Sequence, residues 1–178
     1  MQKLLALSNF VDHFKKTSPL WTAMVKTKED SPWHREDSVA IHTEMVCQEF
    51  DRIDGERGQL SDETYIITYL SLLFHDTGKP PCKVTKFKPE RGYYNAFHGH
   101  EQYSARLWED YYVSNHKLFK DWLSPVDAYK VMWMIENHLP YDYMGSDKKM
   151  DYLRTAMAGN LGEHWQGFGF HLLGDTYG

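Results

Sequence analysis

Apolar residues recur at intervals of three and four along almost all of this 178-residue chain, and no stretch alternates cleanly enough to demand a sheet. The spacing predicts an all-α fold, a compact bundle of about six to eight helices. A first helix runs through Leu4, Leu7, Phe10, Val11 and Phe14 and ends in Lys15-Lys16-Thr17-Ser18-Pro19. A long connection follows, carrying Trp21, Trp33, His34 and Arg35. Asp37 or Ser38 then caps a helix that puts Val39, His42, Met45, Val46 and Glu49 on one face, so His42 points inward. Ser61, with Asp62 and Glu63 in the first turn, starts a helix through Ile66, Ile67, Leu70, Leu73 and Phe74 that stops at His75-Asp76. Beyond a basic loop, a helix begins between His98 and Glu101 and continues through Tyr103, Leu107, Trp108 and Tyr111. Ser124-Pro125-Val126-Asp127 joins a capping pattern to proline at the first helical position, opening a helix through Val131, Met134, Ile135 and His138 that Pro140 stops. The last third holds a helix from about Ser146 and another through Phe168, Leu172 and Asp175, with limits blurred by Gly159, Gly162 and Gly167.

The length suits one domain spanning 1–178. Asp175 stands close to the final residue, where a functional helix would ordinarily continue, so excision from a longer protein with a further C-terminal domain is expected. No apolar run approaches the roughly 20 residues needed to cross a bilayer, and Ser8, Asn9 and Asp12 interrupt the N-terminus where a signal peptide would be apolar. Cys47 and Cys82 show neither a disulfide framework nor metal-ligand spacing. A soluble, cytoplasmic protein with no membrane partner is the expectation. The net charge of -5 excludes general coating of nucleic acid, yet Lys79, Lys83, Lys86, Lys88 and Arg91 crowd one stretch whose only acid is Glu90.

Six positions carry the chemistry: His42, the pair His75-Asp76, His98 or His100, His138, and Asp175. They lie on separate predicted helices, mostly facing inward or at helix ends. Neighbouring helical residues point about 100° apart, so His75 and Asp76 can grip one ion only at a helix end facing a cavity, and Gly78 and Pro80 supply that end. Imidazole and carboxylate together suit divalent manganese, iron, nickel, cobalt, magnesium or zinc. The lack of thiolates argues for an open catalytic site over a structural zinc knot. Taken singly, each histidine reads as an ordinary polar or capping residue; together they read as a metal site.

The segments Trp33-His34-Arg35-Glu36-Asp37-Ser38-Val39-Ala40-Ile41-His42, His75-Asp76-Thr77-Gly78-Lys79-Pro80, Phe97-His98-Gly99-His100-Glu101, Glu136-Asn137-His138 and Gly174-Asp175 resemble, in this order, the HD-domain metal-dependent phosphohydrolases. The likeness covers nearly the whole chain. It is nearest in look to the HD domains of tRNA nucleotidyltransferases and of HD-type polynucleotide kinases that heal RNA ends. The resemblance implies a binuclear centre in which His42, His75, Asp76 and Asp175 hold one ion and His100 and His138 hold the other, with Asp76 bridging. His98 competes with His100; Gly99-His100-Glu101 fits the family form better, which leaves His98 lining the pocket or facing solvent. Glu101 reads as a support for a ligating histidine. In such enzymes a bridging water is deprotonated near neutral pH and attacks phosphorus. Asp76 and Lys79 are then the catalytic pair, with Lys79 pointing at the substrate phosphate and offsetting transition-state charge. The bland role for Lys79 is to complement a helix C-terminus.

His34, Arg35 and Lys83 are candidate phosphate contacts beside Lys79 and His98. Lys83, Lys86, Lys88 and Arg91 interleave with Phe87, Tyr93, Tyr94 and Phe97, a mixture suited to a single-stranded backbone with bases stacked on rings. The commoner use of such rings is to pack a loop onto the body. The expected activity is hydrolysis of a phosphomonoester or phosphodiester on a nucleotide or RNA end, including a 2'-phosphate or a 2',3'-cyclic phosphate. The alternatives are a small-nucleotide phosphatase or cyclic-nucleotide phosphodiesterase, an HD-type diiron oxygenase, and a non-catalytic nucleotide-binding module. No GxxxxGK[ST] motif is present, so nucleoside triphosphate chemistry is not expected of this chain.

Overall fold

The structure, a computed structural model, describes residues 2–29, 37–58, 60–90, 92–139 and 146–177. Over these residues the fold is mostly helical. In chain order it comprises α1 (Gln2–Thr17), α2 (Pro19–Lys26), α3 (Val39–Arg57), α4 (Asp62–Phe74) and the single turn α5 (Lys79–Cys82). Strands β1 (Val84–Lys88) and β2 (Gly92–Ala96) follow, then α6 (His100–Ser114), the turn α7 (His116–Phe119), α8 (Pro125–Glu136), α9 (Asp147–Leu161), a 3-10 turn over Gly162–His164, and α10 (Trp165–Tyr177). Among the described residues no helix is long and apolar enough to cross a membrane.

Helix α4 is the axis of the molecule. Ser61 caps it by accepting a hydrogen bond from the Thr64 N–H at 3.2 Å, and Asp62 and Glu63 occupy the first turn, where unpaired N–H groups favour acids. Ile66, Ile67, Leu70, Leu72, Leu73 and Phe74 are all buried, and so are Thr64, Thr68 and Ser71 along one face, so the helix is enclosed on most of its circumference, as a central helix must be. It packs against α1, α3, α8 and α10. Its last residue, Phe74, lies 4.6 Å from the Phe14 ring and 4.9 Å from Trp108, centroid to centroid. The residue immediately before His75 is therefore fixed by core packing, and the His75-Asp76 pair inherits that rigidity.

The described structure departs from the sequence reading in several places, among them Met45, expected on the inward face of α3 and found exposed. Residues 19–26 form α2 instead of a loop: Ser18 accepts from the Leu20 N–H at 3.2 Å and Pro19 opens the helix. The basic segment is not an irregular loop but an antiparallel hairpin, pairing Val84 with Ala96 through to Lys88 with Gly92. Gly167, finally, does not blur a helix limit but lies inside α10 and lets it approach α4 closely. A Cβ on Gly167 would collide with Thr68 Oγ1 and come within 3.0 Å of Thr64 Cγ2.

Gly167→Ala is accordingly expected to destabilise the protein. Overpacking of about 1–3 kcal/mol outweighs a helix-propensity gain of up to about 1 kcal/mol, for a fall in melting temperature of about 2–6 °C. Thermal denaturation followed by circular dichroism measures it, and an unchanged or raised midpoint would contradict the close approach of α10 to α4.

Candidate metal centre

The six positions singled out in the sequence come together in space, with His100 rather than His98 among them. His42 sits in the first turn of α3, just past the Ser38 cap, and is 1 % exposed. His75 follows the end of α4, His100 opens α6, His138 follows α8, and Asp175 lies on α10. Asp76, 1 % exposed, is at the middle. Its Oδ2 lies 3.1 Å from His75 Nε2 and 3.6 Å from His42 Nε2, while Oδ1 lies 3.1 Å from His100 Nε2 and 3.9 Å from His138 Nε2. Asp175 Oδ1 closes the first set, 3.2 Å from His42 Nε2 and 3.4 Å from His75 Nε2. The two oxygens of one carboxylate thus serve two separate clusters: His42, His75 and Asp175 on one side, His100 and His138 on the other.

The tautomers follow from the backbone. Nδ1 of His75 is 2.6 Å from the Leu72 carbonyl, Nδ1 of His100 is 2.8 Å from that of Phe97, and Nδ1 of His138 is 2.6 Å from that of Ile135. A carbonyl can only accept, so each Nδ1 carries a proton, and in the neutral ring each Nε2 is a lone pair turned toward Asp76. Supporting a ligating imidazole through its far N–H is what metal sites require, because it fixes both tautomer and orientation. His100 Nε2 and His138 Nε2 face each other at 3.2 Å, which two lone pairs tolerate poorly unless a cation lies against both. Both Asp76 oxygens and His75 Nε2 are buried, and the contacts they make are with charged or ionisable groups of the cluster itself. Inward-turned imidazole nitrogens and the Asp76 carboxylate, one oxygen of which already draws the Lys79 ammonium, are the donors of a cation site at these separations, so these buried groups can hold a metal ion.

The electrostatics agree. Burial alone would push Asp76 up, but His75, Lys79 and His100 around it hold its carboxyl well below the ordinary range. Asp175 is likewise held low against burial by His42, His75 and His138. Burial lowers His75, yet the adjoining carboxylates of Asp76 and Asp175 outweigh it and bring it up to about 10. His138 goes the other way, pushed down to about 3 by burial and by the neighbouring His75 and His100. Both carboxylates are thus held ionised, with His75 and Lys79 supplying the positive charge whose place a bound cation would take.

Lys79 does not stand free. It is buried, 2.7 Å from Asp76 Oδ2, and its ammonium also forms a buried ion pair with Glu29 Oε1. Burial disfavours its charge, but the two carboxylates raise its pKa above the usual lysine value. Glu29 comes from the segment after α2 and also belongs to a possible ligand group with His42 and Asp76. The sequence reading does not include it, since Lys28-Glu29-Asp30 looks like an ordinary polar surface. His171 is also absent from that reading. It lies one turn before Asp175 with its ring 5.9 Å from His75 and 6.0 Å from His138. The Ser71 hydroxyl donates to the Thr68 carbonyl at 2.7 Å and so accepts from His171 Nδ1 at 2.7 Å. The four-residue spacing of His171 and Asp175 is the signal that points to it.

The remaining candidates lie at the edge or beyond. His98 is exposed, its Nε2 accepting from Lys86 Nζ at 2.8 Å, and Lys83 is exposed. Glu101 is half-buried with Oε2 3.4 Å from His100 Nδ1, in position to support that ring. His34 and Arg35 lie outside the described residues. No protein-family model matches the chain, and no curated protein or solved structure matches it.

Proposed function

We propose that this protein is a metal-dependent phosphohydrolase of the HD type, acting on a phosphomonoester or phosphodiester at a nucleotide or RNA end, including a 2'-phosphate or a 2',3'-cyclic phosphate. The observation that carries the reading is Asp76, whose two oxygens divide between two imidazole clusters with their Nε2 atoms turned inward. A pair of divalent ions would supply a water deprotonated near neutral pH and charge to offset that on the phosphoryl oxygens. His42, His75, Asp76 and Asp175 would hold one ion, and Asp76, His100 and His138 the other.

The rest is the work of the chain itself. Three backbone carbonyls hold the imidazoles in register, so the ligands need little rearrangement to bind. Lys79 holds one oxygen of Asp76, and its second partner, Glu29, would keep the ammonium beside the centre were Asp76 engaged by a metal. A fixed positive charge there favours a substrate whose transition state gains negative charge, which supports phosphoryl chemistry over oxygenation. The test is purification without chelator, elemental analysis, and a panel of substrates: 2'- and 3'-phosphorylated and 2',3'-cyclic RNA ends, and the matching free nucleotides. About two ions per chain with phosphate release or ring opening on part of the panel is the expected result. Oxygen-dependent turnover with a mixed-valent diiron signal, or tight nucleotide binding without hydrolysis under any metal, would replace it.

A further inference from the structure

We infer that the β1–β2 hairpin is a platform for the single-stranded polynucleotide that leads to the reacting end, so that oligonucleotide termini are preferred to free nucleotides. This rests on the phosphohydrolase reading above and names the substrate class of the same site.

The hairpin is rooted in the metal centre at both ends. β1 begins just after the α5 turn that carries Lys79, and β2 ends just before His100. Phe97, at the exit of β2, has its ring 5.8 Å from Lys79 Nζ and gives its carbonyl to His100. A chain lying along the hairpin therefore arrives at the centre.

Packing does not account for the side chains the hairpin carries. Every residue of β1 is exposed, and the two strands contact chiefly each other. Phe87 and Tyr93, paired across the strands, are 60 % and 79 % exposed, with ring centroids 5.1 Å apart. The common use of such rings, sealing a loop onto the body, is thus not what these two do. On the opposite face, Lys86 and Lys88 stand across from Tyr94 and Gly92, with Lys88 Nζ 5.7 Å from the Tyr94 ring. Lys83 is exposed at the root of β1. Three ammonium groups therefore gather on a molecule whose net charge is -5.

The charge identifies the occupant. Lysine is depleted from the cores of protein–protein interfaces, and two rings do not make an apolar patch of useful size. Exposed rings alternating with ammonium groups instead match a polyanion with stackable bases. A two-stranded ribbon, with strands about 4.8 Å apart, is narrow enough for a single strand draped over its edge to meet lysines on one face and rings on the other.

The experiment uses the intact, metal-loaded protein and two variants, Phe87→Ala/Tyr93→Ala and Lys86→Ala/Lys88→Ala. The readouts are anisotropy of a labelled uridine hexamer lacking a terminal phosphate, its salt dependence, and the ratio of kcat/KM for hexamer over mononucleotide bearing the same terminal phosphate. The unmodified protein is expected to favour the hexamer by about tenfold or more. The ring variant should weaken hexamer binding about tenfold and collapse the ratio. The lysine variant should lower the slope of log K against log salt by about 0.7 for each phosphate it no longer neutralises. All four side chains are exposed, and an unchanged melting temperature establishes that the variants fold. Hydrolysis with equal preference for hexamer and mononucleotide, or binding indifferent to both variants, overturns the platform and leaves the phosphohydrolase standing. Hairpin-dependent binding with no hydrolysis of any terminus overturns the phosphohydrolase and upholds the platform.

Discussion

Asp76→Ala is expected to empty the whole centre, removing about two bound ions per chain and lowering phosphoester hydrolysis on the order of a thousandfold or more. The size follows from position. Among the described residues, Asp76 is the one whose separate oxygens approach both imidazole clusters, Oδ2 facing His75 and His42 and Oδ1 facing His100 and His138. Removing it strips a ligand from each cluster at once. Losing several kcal/mol of transition-state charge stabilisation, at about 1.4 kcal/mol per factor of ten, gives the thousandfold figure. His98→Ala is the control, because that ring is exposed and bonded to Lys86 instead of to the centre. Elemental analysis of the purified variants decides the matter: two ions retained by Asp76→Ala would remove the bridge.

Lys79→Met should separate stability from activity. In the metal-free protein the ammonium lies between Asp76 and Glu29, both buried, and its loss strands two carboxylates away from water. Breaking a buried pair by removing one partner costs about 3–5 kcal/mol, which denaturant unfolding of chelator-treated protein will show. Adding divalent ions should restore part of that loss, because an ion held by Asp76 compensates charge that the ammonium leaves behind. The double variant Lys79→Met/Glu29→Gln should recover part of that loss, since it neutralises one of the two stranded carboxylates and leaves Asp76 beside His75. Its kcat/KM should remain down by about a hundredfold or more, since the positive charge near the phosphate is still missing. If the double variant regained full activity, the lysine would matter only as a counter-ion to Glu29.

The parts of the fold that were legible in the sequence are those with local causes. Helices α3, α4 and α8 announce themselves through Ser38, Ser61 and Ser124, each of which accepts a backbone N–H at the start of its helix. The approximate extents of α1 and α6 follow from apolar periodicity. The four histidines and two aspartates of the centre stand out because they occupy inward positions or helix ends in an ordered set. Helix α2 carries a comparable signal in Ser18 and Pro19, but eight residues leave too little periodicity to weigh against a polar linker. The hairpin is obscured by its lysines, whose charge masks the β-branched and aromatic residues of Val84–Lys88. Glu29 has no local signature, because its ion pair is with a residue 50 positions away. Whether Gly167 is a breaker or a contact point depends on what lies opposite, and only the packed arrangement of α10 on α4 supplies Thr68.

An ion gripped by His42, His75 and Asp175 would act as a clasp between the third helix and the last. It would join segments that are adjacent through packing but 133 residues apart along the chain, and closing so long a loop is where a cross-link removes the most freedom from the unfolded polypeptide. Seating of the C-terminal helix and retention of metal then become one event, and a chelator would loosen the tail of the protein as well as silence its chemistry.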